Sequence, residues 1–466
     1  MTTSEHQAEP QVTEPAQPAA PSTLETEALE YARELIRIDS VNTGDPSTIG
    51  DGETRAAEFI RDRLAEVGIT GELIEPKAGR GSFVVRIHGT DPAAGALLVH
   101  AHLDVVPVVG QDWTHPPFGA EIHDGMLYGR GAVDMKPFGG AVVAVLRHFA
   151  REGIQPRRDL VVAFLADEEN GGRWGAGWLV QHRPELFAGV TESVGEVGGF
   201  SAPLPVRDAS GAVASGDARR AYLVAVGEKG VASATLTARS RAGHGSRPEP
   251  DHAVLALARA VTRIGEYRFP LVRSEALKAF LTAFGIAGEA TATEDGLTRA
   301  LAELGFVGET VAASSRSTAT PTVLQAGSKV NIIPGIAQAQ LDIRIAPGQG
   351  DEVRARLAEL AGPDVEVTEG PWWPANTAPV DGPLVDAIRA ALAVQDPAAV
   401  AVPYLLPAST DNKHFSSIGI AGYGFFPLRV PLDFDVYGQF HAADEHVPVS
   451  AIHFCARVTA DLLRDA

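Results

Sequence analysis

Four short stretches of this chain carry acidic or histidine side chains directly after an apolar run. They are His100-Ala101-His102-Leu103-Asp104, Gly131-Ala132-Val133-Asp134-Met135-Lys136, Asp167-Glu168-Glu169-Asn170 and Gly195-Glu196-Val197. A fifth, His441-Ala442-Ala443-Asp444-Glu445-His446, lies near the C-terminus. Taken singly each has an ordinary reading: a His-x-Asp pair is a common turn feature, and an Asp-Glu-Glu run is usually a solvated face. Together they carry more. Residues at the carboxyl ends of neighbouring strands in an open α/β sheet converge on one ligand-binding edge. Convergence of His102, Asp134, Glu169, Glu196 and His441 would bring two imidazoles and three carboxylates to one point. Crowded carboxylates repel unless something neutralises them, and one or two divalent cations are the natural solution. With a single cysteine, Cys455, no intrachain disulfide can form and a thiolate zinc site is nearly excluded. Any transition metal must be held by His, Asp and Glu.

The elements that would position these residues follow from periodicity. Apolar residues at Leu24, Ala28, Leu29, Tyr31, Ala32, Leu35 and Ile36 have helical spacing over 24–38. A second helix is predicted over 53–67, stopping at Gly68. Strands at 83–87 and 97–100, a helix at 138–151, a strand at 160–166 and a helix at 174–182 follow. This alternation predicts an α/β layer architecture with a largely parallel sheet. The middle differs, with β-like runs at 221–226 and 232–238, helices at 251–264, 275–284 and 296–304, and strands at 322–325 and 338–345. It reads as a two-layer α+β module set into the α/β domain. Alternation then resumes through 352–360, 365–367 and 384–393 to a final helix at 451–463. The expected division is a disordered tail over 1–23, a catalytic domain over 24–220 and 347–466, and an inserted domain over 221–346.

Composition narrows the function classes. The 466 residues are 45% hydrophobic and 21% charged, as in an ordinary globular protein. Lys+Arg 39 against Asp+Glu 59 leaves a net charge of -20, which argues against a nucleic-acid or anionic-membrane partner. No apolar run is long enough for a transmembrane helix. The proline-rich start has neither a basic n-region nor an apolar h-region, so the cytoplasm is the expected compartment. No Gly-x-Ser-x-Gly turn and no phosphate-binding loop is present.

With these motifs in order along the chain, the sequence resembles a metallopeptidase family. It includes aminoacylase, glutamate carboxypeptidase, carnosinase-type dipeptidases and succinyl-diaminopimelate desuccinylase. The likeness runs from about Leu24 to the C-terminus. The stretch Asp112-Trp113-Thr114-His115-Pro116-Pro117-Phe118, leading into Tyr128-Gly129-Arg130-Gly131 and Asp134-Met135-Lys136, looks most like the aminoacylase and yeast carboxypeptidase branch. The resemblance implies a zinc-exopeptidase-like fold, a mixed sheet flanked by helices, with the inserted module as a lid and dimerisation domain. It implies two divalent ions per subunit, zinc first and cobalt or manganese as substitutes. His102 and Glu196 would hold one ion and Glu169 and His441 the other. Asp134 would bridge them, and its peptide bond to Met135 would be cis. Asp104 would orient His102, and Glu168 would be the general base.

In the inserted module, His244 resembles a lid histidine that stabilises the oxyanion in a neighbouring subunit, and Asn331 and Arg344 resemble residues gripping the substrate carboxylate. The loop Ser409-Thr410-Asp411-Asn412 resembles a substrate-binding loop. Pro137 departs from the family, which usually has Gly there, but proline is tolerated in a first helical turn. His115, His123, His148, His182, His446 and His453 match no family role and read as structural or exposed. The expectation is a homodimeric hydrolase of dipeptides or N-acyl amino acids. The alternative is an inert metal- or peptide-binding relative with the same fold.

Overall fold

The strands Ala96–His102 and Leu160–Leu165 show no polar alternation because both of their faces are covered. Leu97, Val99, Leu160, Val162 and Phe164 pack to one side, and Leu98, Val161, Ala163 and Leu165 to the other. They lie at the centre of a ten-stranded sheet in the computed structural model, which describes residues 20–205, 219–247 and 250–466. Residues 1–19 of the expected tail fall outside the described residues. The first helix, Thr23–Arg37, begins on Ser22, whose side chain and that of Glu25 cap each other's backbone. This Ser-x-x-Glu pattern is a local start signal that needs no tertiary partner.

Neighbours in the sheet run Ser82–Ile87, Leu160–Leu165, Ala96–His102, Val190–Gly195, Ala421–Gly424 and Arg219–Glu228. The central pairings are parallel and those toward both flanks are antiparallel, apart from the parallel pairing of Arg219–Glu228 with Val400–Leu406, so the sheet is mixed. Helices Thr23–Arg37, Lys136–Glu152 and Val449–Asp465 pack together on one face. Pro137 sits in the first turn of Lys136–Glu152, where its missing N–H has no intrahelical partner to lose. Among the described residues, no helix is long and apolar enough to cross a membrane.

A second sheet is wholly antiparallel: Thr318–Ala326, Ile336–Ile345, Gly230–Arg239 and Val365–Trp373, in that order. Helices Ala253–Glu266 and Gly350–Ala361 cover one face around Leu236, Leu257, Leu341 and Leu357.

The structure distributes several elements differently from the boundaries expected at 221 and 347. The run 221–226 belongs to Arg219–Glu228 of the large sheet. Helices Glu275–Ala283, Glu294–Ala302 and Phe306–Ser314 pack against that sheet, through Leu277, Phe280, Leu301 and Val311 onto Leu223, Val402 and Tyr404. Conversely, Gly350–Ala361 and Val365–Trp373 join the smaller sheet. Short apolar runs report that a strand exists; which sheet it joins is set by partners remote in sequence. The strand Val400–Leu406 is not legible from periodicity because Pro403 interrupts its pattern. Among the described residues it pairs only with Arg219–Glu228, and an edge strand accommodates proline.

Candidate active site

Four of the candidate side chains sit at or just beyond strand ends of the large sheet, and two come from loops. His102 closes the strand Ala96–His102. Glu168 and Glu169 lie in the 3₁₀ turn Glu168–Asn170, which begins three residues beyond Leu160–Leu165. Glu196 directly follows Val190–Gly195. Asp134 precedes the helix Lys136–Glu152, and its bond to Met135 is cis. His441 comes from a C-terminal loop in a left-handed conformation, φ 61°.

Asp134 stands between the two imidazoles. Its Oδ1 is 2.8 Å from Nε2 of His102, and its Oδ2 is 3.3 Å from Nε2 of His441. Glu196 approaches His102 at 3.3 Å, and Glu169 approaches His441 at 3.4 Å. Glu168 lies 3.5 Å from the ammonium of Lys413. His102, Asp134 and Glu196 are buried; His441 is 55% exposed at its side chain and forms the rim.

The crowding disturbs every proton affinity. Burial, then the Asp134 charge, pushes Glu169 up to about 8. Burial and the neighbouring Glu168 hold Glu196 well above the carboxylate range. Burial also raises Glu168, against the opposing pull of Lys413. For Asp134, burial is outweighed by hydrogen bonds from His102 and His441, which hold it low. Hydrogen bonds to Asp134 and Glu169 raise His441 to about 10. Four carboxylates and two imidazoles facing one another are a surplus of donors with too little positive charge.

The donors meet the requirements of a metal centre. Ligand atoms of His102, Asp134 and Glu169 lie within 4.8 Å of one another, as do those of His102, Glu168 and Glu196. Nδ1 of His102 donates to the carbonyl oxygen of Asp104 at 3.0 Å, which turns Nε2 toward the carboxylates. The nitrogen and oxygen donors suit zinc and its divalent neighbours.

Asp104 supports the site differently from the expected carboxylate–imidazole contact. Its carboxylate is 3.6 Å from Nδ1 of His102, too long for a hydrogen bond. It accepts instead from the backbone N–H groups of Glu168 and Glu169, at 3.1 and 3.0 Å, and from Asn42 at 2.9 Å. One buried residue thus orients both His102, through its carbonyl, and the Glu168–Glu169 turn.

The remaining sequence candidates divide. Arg344 lines a cavity of about 590 Å³ with Asp134, Glu168, Glu169, Glu196 and His441, while forming a two-point pair with Asp342 at 2.8 and 3.0 Å. Ser409 and Thr410 line the same cavity. Asn412 instead faces the core, where its Oδ1 accepts from Ser193 at 2.7 Å and meets Nε2 of His100 at 3.0 Å. His244 and Asn331 adjoin each other, on and beside a two-stranded ribbon of Gly243–His244 and Ile332–Ile333, with the Gly245 N–H donating to the Asn331 carbonyl at 2.9 Å. Both are exposed, and neither lines the cavity.

Three contributors carry no clear signal in the sequence. Lys413 follows the Ser409–Asn412 loop, yet a lone lysine there forms no pattern. Glu445 lies within the C-terminal acidic and histidine cluster, where its position gives no sign of a role. It is buried, accepting from the N–H groups of Gly131, Val133 and Asp134 at 2.7–3.0 Å and from Arg130 at 2.8 Å. Arg130 also donates to the carbonyls of His441 and Ala442. This buried ion pair fastens the Asp134 loop to the His441 loop.

Comparison with known proteins places this arrangement. The chain is 26% identical over 452 residues to the human N-fatty-acyl-amino acid synthase/hydrolase PM20D1, covering 94% of this chain and 87% of that one. It is 26% identical over 398 residues to aminoacylase-1 of Pongo abelii, covering 81% and 83%. Among solved structures, an M20 family metallo-carboxypeptidase from Sulfolobus solfataricus superposes with a TM-score of 0.68 at 18% identity, covering 94% and 98%. The profile of peptidase family M20/M25/M40 matches residues 98–465, a span that holds every donor of the cluster, and the chain belongs to that family.

Proposed function

We propose that this M20 hydrolase cleaves an amide bond next to a free carboxylate, with N-acyl amino acids as its preferred substrates and dipeptides as the alternative. One observation carries the reading: four carboxylates and two imidazoles meet, and all of them but His102 line the same cavity as Arg344. Asp342 takes Nε and Nη2 of Arg344, which leaves Nη1 to offer a substrate carboxylate one charge-assisted hydrogen bond, with the scissile bond over the cluster. The convergence of Glu168 with all five candidate donors also speaks against an inert relative.

His102, Asp134 and Glu196 would hold one divalent ion and Asp134, Glu169 and His441 the other, with zinc the expected metal. Such ions supply a water of lowered pKa and polarise an amide carbonyl. Glu168 takes the proton from the attacking water and returns it to the departing amine. Lys413 steadies the Glu168 carboxylate between these transfers. Arg344 holds the substrate's terminal carboxylate and so fixes which amide bond faces Glu168.

The apolar part of the cavity wall, with Val197, Leu406, Trp373, Tyr437 and Phe440, supports an apolar acyl group rather than a polar side chain. The names of the two relatives point the same way. A product-release assay over dipeptides and N-acyl amino acids, with zinc, cobalt and manganese each returned to metal-free protein, tests this. Release from dipeptides alone would overturn the N-acyl preference.

The same reading includes a two-fold dimer in which His244 and Asn331 serve the partner's cavity. Their exposure supports it, as do the exposed apolar side chains Leu324, Val330, Ile332 and Ile336 on the same module. Inactive Glu168→Gln and His244→Ala chains, mixed under subunit exchange, should regain about a quarter of wild-type activity, the fraction expected from random two-fold pairing. Verified exchange without recovery would assign His244 to its own chain or to no catalytic role.

A further inference from the structure

A second group of metal-capable side chains stands outside the cavity. His115, Glu121 and His123 bring two imidazole nitrogens and a carboxylate oxygen within 4.8 Å of one another. Backbone geometry explains the convergence. Glu121 and His123 are two apart on the short strand Glu121–His123, so both point to one face. The adjacent strand Met126–Tyr128 sets Tyr128 opposite Glu121, and His115 leans over the Tyr128 ring with centroids 4.2 Å apart. His115 also stacks on His123, with centroids 4.2 Å apart and planes at 25°, so one of the two rings must turn about its Cβ–Cγ bond for both nitrogens to face a single ion. The His115 segment is pinned from behind by Asp444, whose carboxylate accepts from the N–H groups of Thr114 and His115 at 2.8 and 3.1 Å.

We infer that His115, Glu121 and His123 form a further divalent-cation site, suited to zinc or a similar transition ion. Glu121 Oε2 lies 2.9 Å from Nε2 of His123 and 3.8 Å from Nδ1 of His115. These spacings bracket the edge of about 3.3 Å that a tetrahedron with bonds of about 2.0–2.1 Å requires. Two imidazoles and one carboxylate form the donor set of open three-ligand zinc sites, and the partial exposure of all three leaves the remaining position to water. An ion here joins the loop 111–118 to the strand Glu121–His123. That loop includes Gln111, which donates to the His441 carbonyl at 2.7 Å. The site is therefore one loop away from a cavity donor, yet built from different residues.

The test counts ions. Wild-type protein, Glu121→Gln and His123→Phe are dialysed to equilibrium against rising free zinc, and bound zinc is measured by mass spectrometry. His123→Phe keeps the ring stack while removing the donor nitrogen; Glu121→Gln keeps the shape while removing the charge. Wild type should take up one ion per chain more than either variant, and its melting temperature should rise further with zinc. Both variants should keep wild-type amide hydrolysis at zinc levels that saturate the cavity. Asp134→Asn should do the reverse, losing ions from the cavity and keeping this one. Equal zinc counts in wild type and both variants would overturn the assignment, as would wild-type uptake that stops at the cavity ions.

Discussion

The two sheets treat their side chains in opposite ways, and under the proposed function the difference would separate chemistry from recognition. In the large sheet, strands such as Ala96–His102 are buried along their whole length. In the smaller sheet, Ile336–Ile345 alternates exposed and buried residues, because helices cover only one of its faces. The donor cluster stands on the first kind of support, with Asp104 and Glu445 fully buried behind it. Arg344 stands on the open face of the second, beside Asp342. A support packed on both faces has little freedom, so the donors are held in advance of substrate. A one-sided sheet can shift as a unit while its core remains intact. Under the proposed function, catalysis would fall to the sheet covered on both faces and substrate grip to the one covered on a single face.

The sharpest way to break that contrast is to strip the metals. A chelator should abolish amide hydrolysis while circular dichroism changes little, since the doubly covered sheet folds on its apolar area. Full activity in metal-free protein would end the two-metal reading. Next in size, Glu168→Gln should keep both ions yet lower kcat by about 10²–10⁴-fold, the usual span for a lost general base. Glu169→Gln should instead lower the metal count, and the two variants together separate proton transfer from metal retention.

Smaller again, Glu445→Gln should weaken metal affinity or activity by about 10–100-fold, the range seen when a residue behind a ligand is lost. The variant keeps the side chain's shape but loses charge against Arg130 and one acceptor site among the Gly131–Asp134 N–H groups. Metal counting and steady-state kinetics on the same sample check it. The smallest effect is expected on the adaptable side. Arg344→Ala should reduce kcat/KM by about tenfold, chiefly through KM, as expected for the loss of one charge-assisted contact. Metal content should not change. If Arg344→Ala instead matched Glu168→Gln with an unchanged KM, the division between the two sheets would be wrong.

Much of the cavity is legible in the sequence. His102, Glu169 and Glu196 each follow an apolar run, so their convergence can be argued from the way strand ends meet in an α/β sheet, whereas the places of Asp134 and His441 are implied by the family resemblance. Glu445 and Arg130 are not legible as a pair, because burial of a charge is decided by what packs over it. Asn412 departs from its expected place in the substrate loop for the same reason. Its neighbour Thr410 faces the cavity, whereas Asn412 turns inward to His100 and Ser193. Nothing in the order of these residues says which one faces in.

What the chain's order determined by itself was therefore many of the elements, the donor types and the exclusion of an intrachain disulfide. Apolar spacing, capping residues and composition act over a few neighbours and need no partner. What only the tertiary structure decided was membership and direction: that 219–228 joins the large sheet, that 365–373 joins the small one, and that Asp104 meets His102 by its carbonyl oxygen. These depend on hydrogen bonds between residues far apart in sequence. Strand 219–228, for example, takes its parallel partner from 400–406, across the whole inserted sheet. A run of alternating or apolar residues fits either sheet equally well until the chain between the partners has folded.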